Sequence, residues 1–255
     1  MSARGAAQIA TLICVAFAAY LAADVAHEAL GHGGGCLLFG GHPIFVSTTT
    51  EFCSIRLNAI DTAGPVAGII VALLAFAWLS LRPPRNASLR AFLSLTFAFA
   101  IFWNVGYMMK SGLTDEGDWA STIAGLEPSG VWHIGLTALG FVLYVAAMRL
   151  LGVTLRKKLA AEVGVTPFAF ALTAYLAAAL LSVLGALFDP RGPHTILSDA
   201  LPSSLGAIGL PWVGLVLNRR YPALRLAVPV SLAWIAIGLV SATIFIAVLG
   251  PGFYF

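Results

Sequence analysis

A chain of 255 residues that is 60% hydrophobic and only 10% charged, with a mean hydropathy of +0.93, falls outside the soluble globular class. Its net charge of +3 comes from basic residues spread over many loops, not from a patch, which argues against a nucleic-acid partner. Apolar runs of roughly twenty residues are too long for barrel strands, so the composition predicts an all-α polytopic membrane protein with about seven transmembrane helices.

The first span covers residues 7–30. It carries Asp24, His27 and Glu28, and we read it as a retained span, not a cleaved signal peptide. A polar stretch, 31–58, follows. Within it residues 43–50 and 52–57 are rich in β-branched and aromatic side chains, which predicts a short β-hairpin between the first two spans. The second span, 60–81, opens on Ala63-Gly64-Pro65 and Ala67-Gly68, small residues that let helices approach closely, with Pro65 tolerated near a helix start.

The third span, 89–109, carries Trp103 and Asn104 and leads into the densest acidic cluster of the chain, Asp115-Glu116-Gly117-Asp118. The fourth covers 131–151, and the basic stretch Arg156 to Glu162 after it is expected to lie as a helix on the membrane surface. The fifth span is 167–188, the sixth, interrupted by Pro202 and Pro211, is 201–217, and the seventh is 226–249. Residues 1–125 form a three-span core with the hairpin, and residues 126–255 add four spans to the same membrane domain.

Charge orients the set. With the N-terminus inside, the inner loops hold Arg4, Arg82, Arg85, Arg90, Arg149, Arg156, Lys157, Lys158, Arg219, Arg220 and Arg225. The outer side holds only Arg56, Lys110 and Arg191 of the 14 basic residues. The expectation is a multi-pass protein of the plasma (inner) membrane with a cytoplasmic N-terminus. The end of span one and the acidic loop then share the outer face. Cys36 and Cys53 fall there too, where a disulfide or two free thiols are both open, while Cys14 reads as packing.

The chemistry concentrates in His27-Glu28-Ala29-Leu30-Gly31-His32. Ionisable side chains in a membrane segment mark functional sites by default. Two imidazoles with a carboxylate beside them suit zinc, with Glu28 as general base. The spacing, however, is five rather than four. At about 100° per residue the second ring lies roughly 140° from the first in a regular α-helix, against roughly 40° for a spacing of four. A one-residue π-bulge, or unwinding at Gly31, would bring the rings together. Gly33-Gly34-Gly35 reads as the end of the helix. A solvated helix end is the plain alternative.

A third ligand is expected from the acidic loop, with Asp118 favoured and Asp115 as runner-up; His42, His133 and His194 compete less well. Asp24, one turn before Glu28, either orients a histidine or faces the bundle interior. A metal held this way lowers the pKa of its water, and Glu28 can take the proton.

The six-residue motif resembles the HExxGH zinc motif of the dipeptidyl peptidase III family. More broadly, residues 7–125 resemble the site-2 protease family of intramembrane zinc metalloproteases. The resemblance rests on His27, Glu28 and His32, the strand-like 44–57 region, Gly64-Pro65, and Asn104 followed by Asp118. It implies a Zn2+ ion on His27, His32 and Asp118, Glu28 as catalytic base, and a transmembrane protein substrate presented on the hairpin edge. This chain departs from the family in its His spacing, in lacking a Pro after Asn104 and an Asp-Gly pair, and in its outward-facing site. The expectation is a zinc-dependent intramembrane endopeptidase embedded in the lipid bilayer. Its rivals are a catalytically inactive member of the fold serving membrane binding or assembly, and a small-solute transporter. Metal-dependent lipid oxidation ranks last, for want of His-rich clusters.

Overall fold

The spans assemble into an up-and-down helical bundle in the computed structural model, which describes residues 3–255. Seven helices are long and apolar enough to cross a membrane: α1 (Ala3–Leu38), α2 (Asn58–Leu81), α3 (Ala87–Thr114), α5 (Ser129–Lys158), α6 (Pro167–Ala186), α7 (Ile196–Arg220) and α8 (Leu232–Leu249). A short helix, α4 (Asp118–Ile123), sits between α3 and α5.

Two small sheets close the bundle at opposite ends. At one end β1 (Pro43–Val46) pairs antiparallel with β2 (Glu51–Cys53), which makes the hairpin between α1 and α2. The last strand, β5 (Phe253–Tyr254), pairs with the other edge of β1, so the order is β2-β1-β5. At the other end β3 (Ala160–Ala161) pairs with β4 (Arg225–Leu226).

The centre of the bundle is α3. In its most apolar 18-residue window 78% of residues are buried, against 22% for α5 and for α8. Phe97, Phe99 and Phe102 of α3 are fully buried, and Tyr20 of α1 meets Phe99 edge-on at 5.7 Å and stacks on Trp103 at 6.4 Å. In lipid, whose tails are as apolar as leucine, close packing and satisfied polar groups would hold helices of this kind together more than burial does.

Four sequence expectations change here. The glycine run does not end α1, which continues through Gly33-Gly34-Gly35 to Leu38. The reason is packing: α2 lies so close that a Cβ on Gly31 would stand 2.5 Å from the Gly64 Cα, and one on Gly35 2.7 Å from the Ala63 side chain. Pro65 lies inside α2, not at its start, because α2 already begins at Asn58; lacking an N–H, it leaves the Asp61 carbonyl without its usual partner. The basic stretch is no separate surface helix: Arg156, Lys157 and Lys158 are the last turn of α5, and the chain then turns into β3. The last span starts at Leu232, since Arg225 and Leu226 are engaged with β3, and Ser231 caps the helix by accepting the Trp234 N–H.

Cys36 and Cys53 form a disulfide, which ties the end of α1 to β2. Cys14 is buried as a free thiol.

Candidate metal centre

The region around HEALGH is π-helical from Ala26 to Gly33, with the Gly34 N–H reaching back five residues to the Ala29 carbonyl. A backbone bonded over five residues stacks residue i+5 above residue i. His27 and His32 therefore leave α1 on one side, their rings edge-to-face at 4.9 Å and 81°. Gly64 makes this possible from the other helix, because a Cβ there would run into the His32 ring.

Hydrogen bonds decide which ring nitrogen carries the proton. The His32 Nδ1 lies 2.9 Å from the Ile60 carbonyl, which can only accept, so Nδ1 is the donor. The His27 Nδ1 lies 2.9 Å from Asn104 Oδ1. The orientation of that amide is set in turn, since Asn104 Nδ2 donates to the Ala100 carbonyl at 2.7 Å. In its neutral form each imidazole thus turns a lone pair on Nε2 inward. Trp103 stacks on the His27 ring at 4.5 Å and 22°. Asp24 has no part in this. It is buried without a hydrogen-bond partner, and Asn104 is what orients His27.

Asp118 closes the triangle. Gly117, at φ +87, turns the chain where an L side chain would be strained and would strike Tyr107. Helix α4 is pinned by Trp119 Nε1–H donating to the Asn104 carbonyl at 3.1 Å, and by the Thr62–Thr122 hydroxyl pair at 2.8 Å. Asp118 Oδ2 then lies 3.1 Å from His27 Nε2 and 3.5 Å from His32 Nε2, with the two nitrogens 3.2 Å apart. The other acids of that loop turn elsewhere, Asp115 toward His133 at 3.6 Å and Glu116 toward Lys110 at 3.5 Å.

Two lone-pair nitrogens and a carboxylate oxygen this close require a positive species among them, a proton or a cation. Ligand atoms about 2.0–2.1 Å from a tetrahedral zinc lie roughly 3.3 Å apart. The observed edges of 3.1, 3.2 and 3.5 Å bracket that value. Two imidazoles and one carboxylate are also a donor set zinc accepts, and three ligands leave a fourth position open. The residues fit the ion. Burial alone would push the Asp118 carboxyl up, but where a proton sits on Nε2 the His27 and His32 rings donate to it, which outweighs burial and holds the group well below the usual carboxylate range. The grouping of Cys36, Glu51 and Cys53 offers no comparable site, because its two sulfurs are bonded to each other.

The triangle opens into a polar cavity of about 210 Å³. Glu28 faces it, buried, with Oε1 3.9 Å from His27 Nε2. Thr48, Thr49, Thr50 and Glu51 of the hairpin line one wall, and Arg191, Ser198, Asp199 and Ser203 another.

The second wall was not anticipated from the sequence, where Arg191 counted only as an outer-side charge. Its Nε lies 3.1 Å from Asp189 Oδ1, and its Nη2 donates to Thr49 Oγ1 at 2.7 Å and to Asp199 Oδ2 at 3.2 Å. Thr49 Oγ1 donates to Asp189 Oδ2. The tip of the hairpin is thereby latched to the loop between α6 and α7. Burial would raise the Asp189 carboxyl, but Arg191 and Thr49 hold it below its ordinary value. An Asp, an Arg and another Asp within eleven positions of a Pro/Gly loop were visible, but nothing local says that they reach a threonine 142 positions away.

Compared with known proteins, the chain matches no protein-family model, no curated protein and no solved structure.

Proposed function

We propose that the protein is a zinc-dependent intramembrane endopeptidase of the site-2 protease type. The observation that carries the proposal is the convergence of His27 Nε2, His32 Nε2 and Asp118 Oδ2 within 3.1–3.5 Å, beside a buried Glu28 that is not one of the three. His27, His32 and Asp118 would hold the ion, which when bound supplies Lewis acidity toward a carbonyl oxygen and lowers the pKa of water. The chain's own residues do the rest. Asn104 and the Ile60 carbonyl keep each Nδ1 protonated and each Nε2 free. Glu28 takes the proton of the attacking water on its carboxylate and returns it to the leaving amide nitrogen.

The substrate reaches this point extended. The β1 edge is taken by β5, which leaves the outer edge of β2, next to the cavity wall at Glu51, as the strand a peptide can join. The seven apolar helices support a multi-pass protein, and the hairpin face is read as the outer one from the basic residues gathered at the opposite end.

Glu28→Gln tests the proposal. It is expected to retain zinc and fold while cleavage of a membrane-spanning substrate drops about 10²–10⁴-fold. Undiminished cleavage removes Glu28 from the chemistry.

A further inference from the structure

At the end opposite the metal centre, α5 and α7 part to leave a groove of about 800 Å³. Met148, Val153, Trp212 and Val216 make its walls apolar, and Gly152 keeps its floor low. Arg149, Arg156 and Arg220 stand along it, and no Asp or Glu lines it. Arg149 and Arg156 are seven residues apart, hence on one face of α5 and about 10 Å apart along its axis. Arg156 Nη1 donates to the Tyr221 hydroxyl at 2.7 Å, and Arg156 and Arg220 both lie over the Tyr221 ring, at 5.1 and 5.8 Å. This fixes two guanidinium groups without neutralising either. Among the described residues none of the three arginines has a carboxylate partner.

Beside it Phe141, Val142, Ala146 and Leu150 make an apolar flank of α5 that starts from the same Val145 and Arg149 and continues toward the middle of the helix. An apolar groove and an apolar helix flank therefore diverge from one unneutralised cationic cluster. That is the complement of a two-tailed amphiphile with an anionic head.

We propose that this site binds an anionic diacyl glycerophospholipid, its phosphate held by Arg149, Arg156 and Arg220, one acyl chain lying in the groove between α5 and α7 and the other along the apolar flank of α5. Charge complementarity selects the headgroup: Glu162 is the one carboxylate on the connections at this end of the bundle, so nothing of the chain's own competes for the arginines. The proposal rests on the helices spanning a bilayer and not on the peptidase reading.

The test uses the full chain. Membrane fractionation is read first. A chain recovered in the aqueous phase overturns the spanning reading itself, whereas a membrane-borne chain lets the site be tested by itself. The purified protein is then placed in lipid nanodiscs of phosphatidylcholine with or without phosphatidylglycerol, and retained lipid is read by native mass spectrometry. The wild type is expected to retain phosphatidylglycerol preferentially. Arg149→Gln with Arg156→Gln is expected to lower that preference about 25-fold, about fivefold per arginine, while Arg82→Gln, at the same end but outside the groove, leaves it unchanged. Gly152→Leu, which fills the floor and spares the charges, is expected to weaken lipid retention. Glycerol phosphate, which has the head without the tails, should not displace the lipid. Equal retention of the two lipids, an unchanged double variant, or displacement by glycerol phosphate would each overturn the site.

Discussion

The two ends of the bundle handle charge in opposite ways. At the hairpin end, two carboxylates are drawn inward against specific partners: Asp118 against the two imidazoles, Asp189 against the Arg191 guanidinium. At the β3–β4 end, arginines stand against apolar walls with no acid beside them. An uncompensated charge is costly in a low dielectric, so the first arrangement fixes geometry within the protein, while the second leaves charge for something outside it.

The largest break in that contrast is loss of one of the three proposed metal ligands. His27→Ala or Asp118→Ala is expected to reduce bound zinc from about one ion per chain to none, by elemental analysis of the purified protein, with the helical circular dichroism unchanged. Asp115→Asn in the same loop should leave the zinc content as it is, because Asp115 faces His133 instead.

Next in size is the residue behind the ligand. Asn104→Ala removes the acceptor that holds His27 in its tautomer, and zinc affinity is expected to fall about 10–100-fold in a competition titration with a chelator. Asp24→Asn, on the helix that carries both histidines, should change affinity far less, since Asp24 contacts neither ring by a hydrogen bond.

The hairpin latch comes third. The Asp189 carboxyl lies below its ordinary value in the folded chain, so the unfolded chain binds more protons as pH drops. The latch is therefore fully formed above about pH 4 and loosens as the pH falls further, toward the depressed folded value. Hydrogen exchange at the amides of Thr48 to Thr50 is expected to accelerate there. Asp189→Asn should produce the same acceleration at neutral pH, with a cost of about 2 kcal/mol for the charged hydrogen bonds.

The smallest effect belongs to the other end. Arg149→Gln is expected to change thermal stability by no more than about 0.5 kcal/mol, because it breaks no internal pair. A large loss would mean that the groove arginines serve the fold after all.

Much of this architecture was readable along the chain. Seven apolar runs, the hairpin signal and the paired histidines are local patterns, and each maps onto an element, with span ends shifted by up to eight residues. The end points moved where a neighbour overrode a local signal. The triple glycine ends many helices in water, but here it is where α2 packs against α1. Leu226 reads as the start of a span until β3 claims it. The five-residue spacing stated the geometric problem and named the π-turn as one solution, without saying which solution the chain adopts.

By itself, then, the amino-acid order determined how many long apolar helices there are, which end gathers the basic residues and which ionisable side chains fall within apolar segments. Those properties follow from residues near one another in the chain. The tertiary structure alone decided that Asp118 and not Asp115 meets the histidines, that Asn104 and not Asp24 orients one of them, that β5 covers β1, and that Arg191 reaches Thr49. Each of these depends on how helices cross and how loops close over them. Positions 15 to more than 200 residues apart come together there, at angles no local periodicity encodes.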